Sequence, residues 1–177
     1  MINLHLILMR HGVSEWYASS DFTRTLVPKA AEAIHSTTQQ LHEMISLDKL
    51  QLCYVSPATR TQQSYHIMQN YLQSNAVQHQ VTLDQSQELY LASVSTLIEK
   101  LYTVDLALDH LKTPASSLES YYVMMLAHNP GLSDCIYQLS RSQIHLQEAE
   151  AVVLQCILED WTDVSTVSWN CLAHCKP

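Results

Sequence analysis

Three short stretches of this chain carry side chains that could do chemistry together. "LILMRHGVSEW" brings Arg10 and His11 to the end of an apolar run, "SPATRTQQS" holds Ser56 and Arg60, and "LAHNPGLSD" holds His128 and Asn129. The chain has four arginines in all, and Arg10, Arg24 and Arg60 lie in or beside such segments. Arginine's planar fork of donors matches the equatorial oxygens of a phosphoryl group better than lysine's point charge does. Phosphoryl transfer is mainly positioning and charge stabilisation, so a cluster of guanidinium and imidazole donors is the expected apparatus. His11 can attack phosphorus as a neutral nucleophile once its other ring nitrogen is held by a carbonyl. Of the two glycines, Gly12 follows His11 directly and Gly131 lies three residues beyond His128, which predicts backbone positions where a Cβ is not tolerated near the ligand.

These segments must be gathered by the elements around them. Leu4–Met9, Leu50–Val55 and Tyr121–Ala127 read as short buried strands, with a weak strand at Val81–Leu83. Helical spacing runs from Pro28 to about Leu47. A second helix is expected with Ser56 as N-cap and Pro57 at its first position, followed by Ser64, Ile67, Met68, Tyr71 and Leu72 on one face. Val94, Leu97, Ile98, Leu101, Leu108 and Leu111 mark a third helix, and another begins just after His128-Asn129-Pro130. Ala151–Leu158 and Val164–Cys171 alternate with a two-residue period about the turn "EDWTD". The expected fold is therefore α/β, a three-layer α/β/α sandwich with a mostly parallel central sheet and a C-terminal antiparallel strand pair, in one domain spanning 1–177. In such sheets ligands bind beyond the carboxyl ends of the strands. Arg10, His11, Ser56, Arg60, Glu88 and His128 all follow strands, and Arg60 lies where the N-terminus of its helix also favours an anion.

Composition narrows the classes. Over 177 residues, 47% are apolar and 15% charged, which fits a globular chain, and no apolar run approaches the ~18 residues of a membrane span. The charge of −8 disfavours nucleic acid and anionic membranes as partners. "MINLHLILM" reads as a strand rather than a signal peptide, so a cytoplasmic location is expected. Cys53, Cys135, Cys156, Cys171 and Cys175 are odd in number and irregular in spacing, which fits reduced thiols. "CLAHCK" lacks the second half of a zinc-binding pattern, and no metal or other cofactor is expected.

With those residues in view, "LMRHG", "SPATRTQQS" and "LAHNPGLSD" resemble the three motifs of the histidine phosphatase superfamily, whose members include phosphoglycerate mutases. "SDFTRTL", "ELYLAS" and the short length are similar to its SixA-type phosphohistidine phosphatase branch. The resemblance implies a phosphoglycerate mutase-like fold with His11 as the phosphorylated nucleophile, Arg10, Arg60 and His128 as the phosphate pocket, Arg24 beside it and Glu88 as general acid. Tyr17, Ala30 and Ser64 depart from the family's more common residues. About 40 residues separate Glu88 from His128, too few for an extra lid, so an open site is expected. The implied substrate is phosphorylated, in the SixA-type case a phosphohistidine-bearing protein. A small-molecule phosphomonoesterase or mutase and a non-catalytic phosphate-binding module remain alternatives.

Overall fold

The computed structural model describes residues 1–75, 81–108 and 119–177. Among them a six-stranded sheet has the order β3-β2-β4-β1-β5-β6, with β1 Ile2–Arg10, β2 Leu52–Val55, β3 Thr82–Asp84, β4 Glu119–Ala127, β5 Ala151–Leu158 and β6 Asn170–Cys175. β3, β2, β4 and β1 run parallel, while β5 and β6 are antiparallel additions. All four parallel strands therefore end at one edge. The segment entering β5 reaches the same edge, because Ala151 pairs with Met9.

β1 is central, and its pleat explains both cores. Leu4, Leu6 and Leu8 point to one face, where they meet α3 (Val94–Tyr102) and α5 (Gly131–Ser140) through Leu97, Leu101, Leu132 and Ile136. Ile7 and Met9 point to the other, against α1 (Ala30–Ile45) and α2 (Thr59–Ser74) through Ile34, Leu41, Tyr65 and Met68. Burial on both faces is what a continuous apolar run in a parallel sheet signals. The result is the expected three-layer α/β/α arrangement.

Several boundaries differ from the sequence reading. α1 is shorter than expected, and Met44 within it is exposed. α3 stops at Tyr102, and a single turn, α4 (Val104–Ala107), follows; Leu111 lies outside the described residues. Most of the strand expected over Val164–Cys171 does not form. Trp161–Ser165 is a 3-10 turn closed by a capping box, in which Asp160 accepts from the Thr162 amide at 2.9 Å and Asp163 accepts from the Asp160 amide at 3.1 Å. β6 begins only at Asn170. A pattern of alternating apolar residues cannot distinguish a strand from a side-chain-capped turn that buries Trp161 and Val164.

Candidate functional site

His11 leaves the end of β1 with its ring fixed from both sides. Its Nδ1 lies 2.7 Å from the carbonyl oxygen of Gly12, and its Nε2 accepts from Arg60 Nε at 3.0 Å. A carbonyl only accepts and a guanidinium only donates, so the proton sits on Nδ1 and the lone pair on Nε2. Burial, the largest influence, together with the charges of Arg60 and Arg10, pushes the His11 pKa down to about 4, and the imidazole is neutral near pH 7. Gly12 holds the loop by donating its amide to Ser64 Oγ at 3.0 Å. A Cβ on Gly12 would come within 2.9 Å of Ile34 Cδ1 and 3.1 Å of Ala30 Cβ. The close approach of α1 thus favours a residue without a Cβ here, with the small Ala30 at the facing position.

Arg60 ties the groups together. Besides His11, it donates through Nη2 to His128 Nδ1 at 3.2 Å and to Asp21 Oδ2 at 2.9 Å, and through Nη1 to the Asp21 carbonyl at 2.6 Å. It is 3% exposed, so these bonds replace its hydration. His128 leaves β4, and its Nε2 lies 2.7 Å from Ser56 Oγ. Since Nδ1 accepts from Arg60, Nε2 carries the proton and donates to the serine. Burial, followed by the neighbouring His11 and Arg60, lowers the His128 pKa to about 3.

Ser56 therefore does not act as the expected N-cap. α2 starts at Thr59 with no side-chain cap, and the serine hydroxyl serves His128 instead. In the first turn of α2 the Thr59 amide donates to the Phe22 carbonyl at 3.1 Å and those of Thr61 and Gln62 to the Ala58 carbonyl.

Arg10 donates to the Leu146 carbonyl at 3.0 Å and to Glu148 Oε1 at 2.5 Å. Its Nε is buried without a hydrogen-bond partner. Asn129 donates to the same Leu146 carbonyl at 2.7 Å and accepts from the Ser133 amide, linking the start of α5 to Arg10.

Residues 13–27 form an arm that doubles back through a bridge between Ser14 and Leu26. It carries Arg24, whose guanidinium donates to Asp21 at 3.0 Å and to the Glu15 carbonyl at 2.6 Å and lies 5.4 Å from the centre of the Trp16 ring. Asp21 accepts from Arg24, Arg60 and the Tyr90 hydroxyl, the last at 2.7 Å. The Tyr90 bond, with help from both arginines, holds its carboxyl well below the usual carboxylate range. Tyr90 also packs its ring edge-on against His128 at 5.6 Å and Phe22 at 5.1 Å.

The structure thus brings Arg10, His11, Arg24, Arg60 and His128 around one cavity of about 290 Å³, whose lining also includes Asp21, Glu148 and Leu91. Glu88 does not join them. It belongs to the 3-10 turn Gln87–Leu89, is half exposed, and pairs with Lys100. Consecutive side chains diverge by about 120° in such a turn, so burying Leu89 in the core sends Glu88 outward, and the next residue, Tyr90, reaches the site. Sequence reasoning missed Tyr90, Glu148 and the service of Ser56 to His128. Asp21 was visible only as a neighbour of Arg24. For Glu148 there was no signal, since its loop is placed by β5 folding back beside β1.

No protein-family model matches the sequence, and no curated protein matches it significantly. Solved structures do match. A protein from Nakamurella multipartitia assigned as a phosphohistidine phosphatase, SixA, superposes with a TM-score of 0.75 at 19% identity, covering 99% of this chain and 96% of that one. The protein histidine phosphatase SixA complexed with tungstate gives 0.72 at 14% identity, covering 98% and 97%. Phosphoglycerate mutase from Plasmodium falciparum gives 0.59 at 14% identity, covering 98% and 91%. At these identities the likeness establishes architecture, and the chain has the phosphoglycerate mutase-like fold that the SixA-type structures share.

Proposed function

We propose that the chain is a phosphatase working through a covalent phosphohistidine at His11, with protein phosphohistidine as its substrate. The observation that carries this reading is the fixed tautomer of His11. Its Nε2 lone pair lies beside guanidinium donors, and its Nδ1 proton is held by a carbonyl. A neighbour of the same fold binds tungstate, a tetrahedral oxyanion like phosphate.

In this reading the substrate's phosphoryl oxygens take over the Arg60 N–H groups now bonded to His11 and His128 and lie against Arg10, which lines the cavity. The His11 lone pair then forms the P–N bond as the bond to the leaving group breaks. Developing charge on the equatorial oxygens is met by Arg10 and Arg60. The Gly12 carbonyl keeps the Nδ1 proton and stabilises the charge on the phosphorylated ring. Water then attacks phosphorus, the P–Nε2 bond breaks, and the electron pair returns to His11. Glu148, which lines the cavity beside Arg10, is the acidic side chain placed to take the water's proton.

The leaving group points to phosphohistidine. An alkoxide needs a proton donor, yet Glu88 faces away and the Asp21 carboxyl is held ionised. A phosphohistidine ring that carries a proton on its other nitrogen leaves as neutral imidazole, a weak base that needs no proton from the enzyme. The test is brief exposure to a phosphohistidine protein carrying labelled phosphate, with the modified residue mapped by mass spectrometry. Label on His11, no turnover by His11→Ala, and full activity in excess chelator are expected. Faster turnover of sugar phosphates or phosphoglycerate than of phosphohistidine would overturn the substrate assignment.

A further inference from the structure

The mouth of the cavity differs in character from its interior. Around the arginines and imidazoles stand Val13, Trp16 and Leu91, exposed by 47%, 86% and 55% although all three line the cavity. Their apolar surface is largely unused in folding.

Leu91 is placed there against its own backbone preference. Its φ is 50°, in the left-handed region where a bulky side chain is strained and glycine or asparagine would be at ease. The strap is fastened on both sides of it. Tyr90 is held by Asp21 and packs on His128. The Ala92 carbonyl lies where a Cβ on Gly131 would be only 2.1 Å away, so the strap fits because residue 131 has none. A strained, half-exposed leucine gains little from the fold itself, and strain of this kind concentrates where a ligand is met. In the 13–27 arm, the Arg24 guanidinium over the Trp16 ring helps to orient the indole.

We propose that Leu91 and Trp16 form an apolar wall that receives the ring of the leaving group, selecting the imidazole of a phosphohistidine in a polypeptide over hydroxyl-rich or carboxylated phosphate esters. The proposal rests on the phosphatase reading above. A flat ring covers these side chains and needs few polar partners from them. Sugar hydroxyls or a second carboxylate would be desolvated against groups that cannot hydrogen-bond, which disfavours such substrates. Tyr17, 95% exposed beside Trp16, extends the surface toward the flanking polypeptide, as exposed aromatic rings do at recognition sites.

The test compares two substrates with the same P–N bond, a phosphohistidine peptide and phosphoramidate, which has no ring. Leu91→Gly and Trp16→Ala should each lower kcat/KM for the peptide about ten-fold more than for phosphoramidate, mainly through KM. The thermal midpoint of Leu91→Gly should be equal to or above that of the unchanged protein, because glycine adopts the positive φ freely. Parallel losses on both substrates, or no loss on the peptide, overturn the wall. If the unchanged protein turns over phosphoramidate while the variants make no distinction, only this inference fails. If it turns over neither substrate, the phosphatase reading fails and takes this inference with it.

Discussion

An imidazole is a good nucleophile at phosphorus only while one nitrogen keeps its proton and the other its lone pair, and at His11 a single carbonyl and a single guanidinium enforce both conditions. The same economy sets expectations for Glu88. Its partner is Lys100 and it is half exposed, so Glu88→Gln should leave kcat/KM for phosphohistidine within about two-fold of the unchanged protein. The lost ion pair should cost less than ~1 kcal/mol in a urea titration. A hundred-fold loss of kcat would instead place this carboxylate in the reaction. The motifs made His11, Arg60 and His128 legible because their types and strand-exit positions agree. Glu88 was grouped with them because its position in the chain also agreed; the structure pairs it with Lys100, and the three-fold turn that rotates it outward leaves no trace in residue order. Ser56 was misread for a related reason. A serine before a helix is usually a cap, and only the pairing of β2 with β4 brings His128 within 2.7 Å of its hydroxyl.

At the scale of elements, the site depends on contacts too close for side chains. Gly131 opens α5 against the carbonyl of Ala92, a backbone atom that cannot swing aside. Gly131→Ala must push the 90–92 strap away from α5. The expected cost is about 1–3 kcal/mol, as for other overpacking substitutions, with a lowered denaturation midpoint and weakened phosphohistidine turnover. Unchanged stability would mean the strap moves freely. The strands were readable because β1, β2 and β4 are buried on both faces and therefore nearly uninterrupted in apolar character. The turn at Trp161–Ser165 was not, since its capping box is a geometric relation between two aspartates that residue types alone do not specify.

For the whole molecule, two buried neutral imidazoles make folding sensitive to acid. His11 and His128 have folded pKa values near 4 and 3, below the 6.5 of the unfolded chain. Between those limits the unfolded state binds more protons, so stability is full above about pH 6.5 and falls as pH drops toward 4 and 3. At pH 5 the loss should be about 2 kcal/mol per imidazole, read as a lower urea midpoint at unchanged slope. His128→Gln should remove part of that dependence, and a midpoint identical at pH 7 and pH 5 would contradict the burial of neutral rings. The bond from Arg60 Nε to His11 Nε2 has a broader consequence. Under the proposed reaction, the electron pair that would attack phosphorus is covered at rest by the same cation that would grip the substrate, so an uncharged electrophile diffusing past finds nothing to react with. Only a visitor rich enough in negative oxygen to draw the guanidinium aside uncovers the ring, and the catalyst is thereby armed by its own cargo.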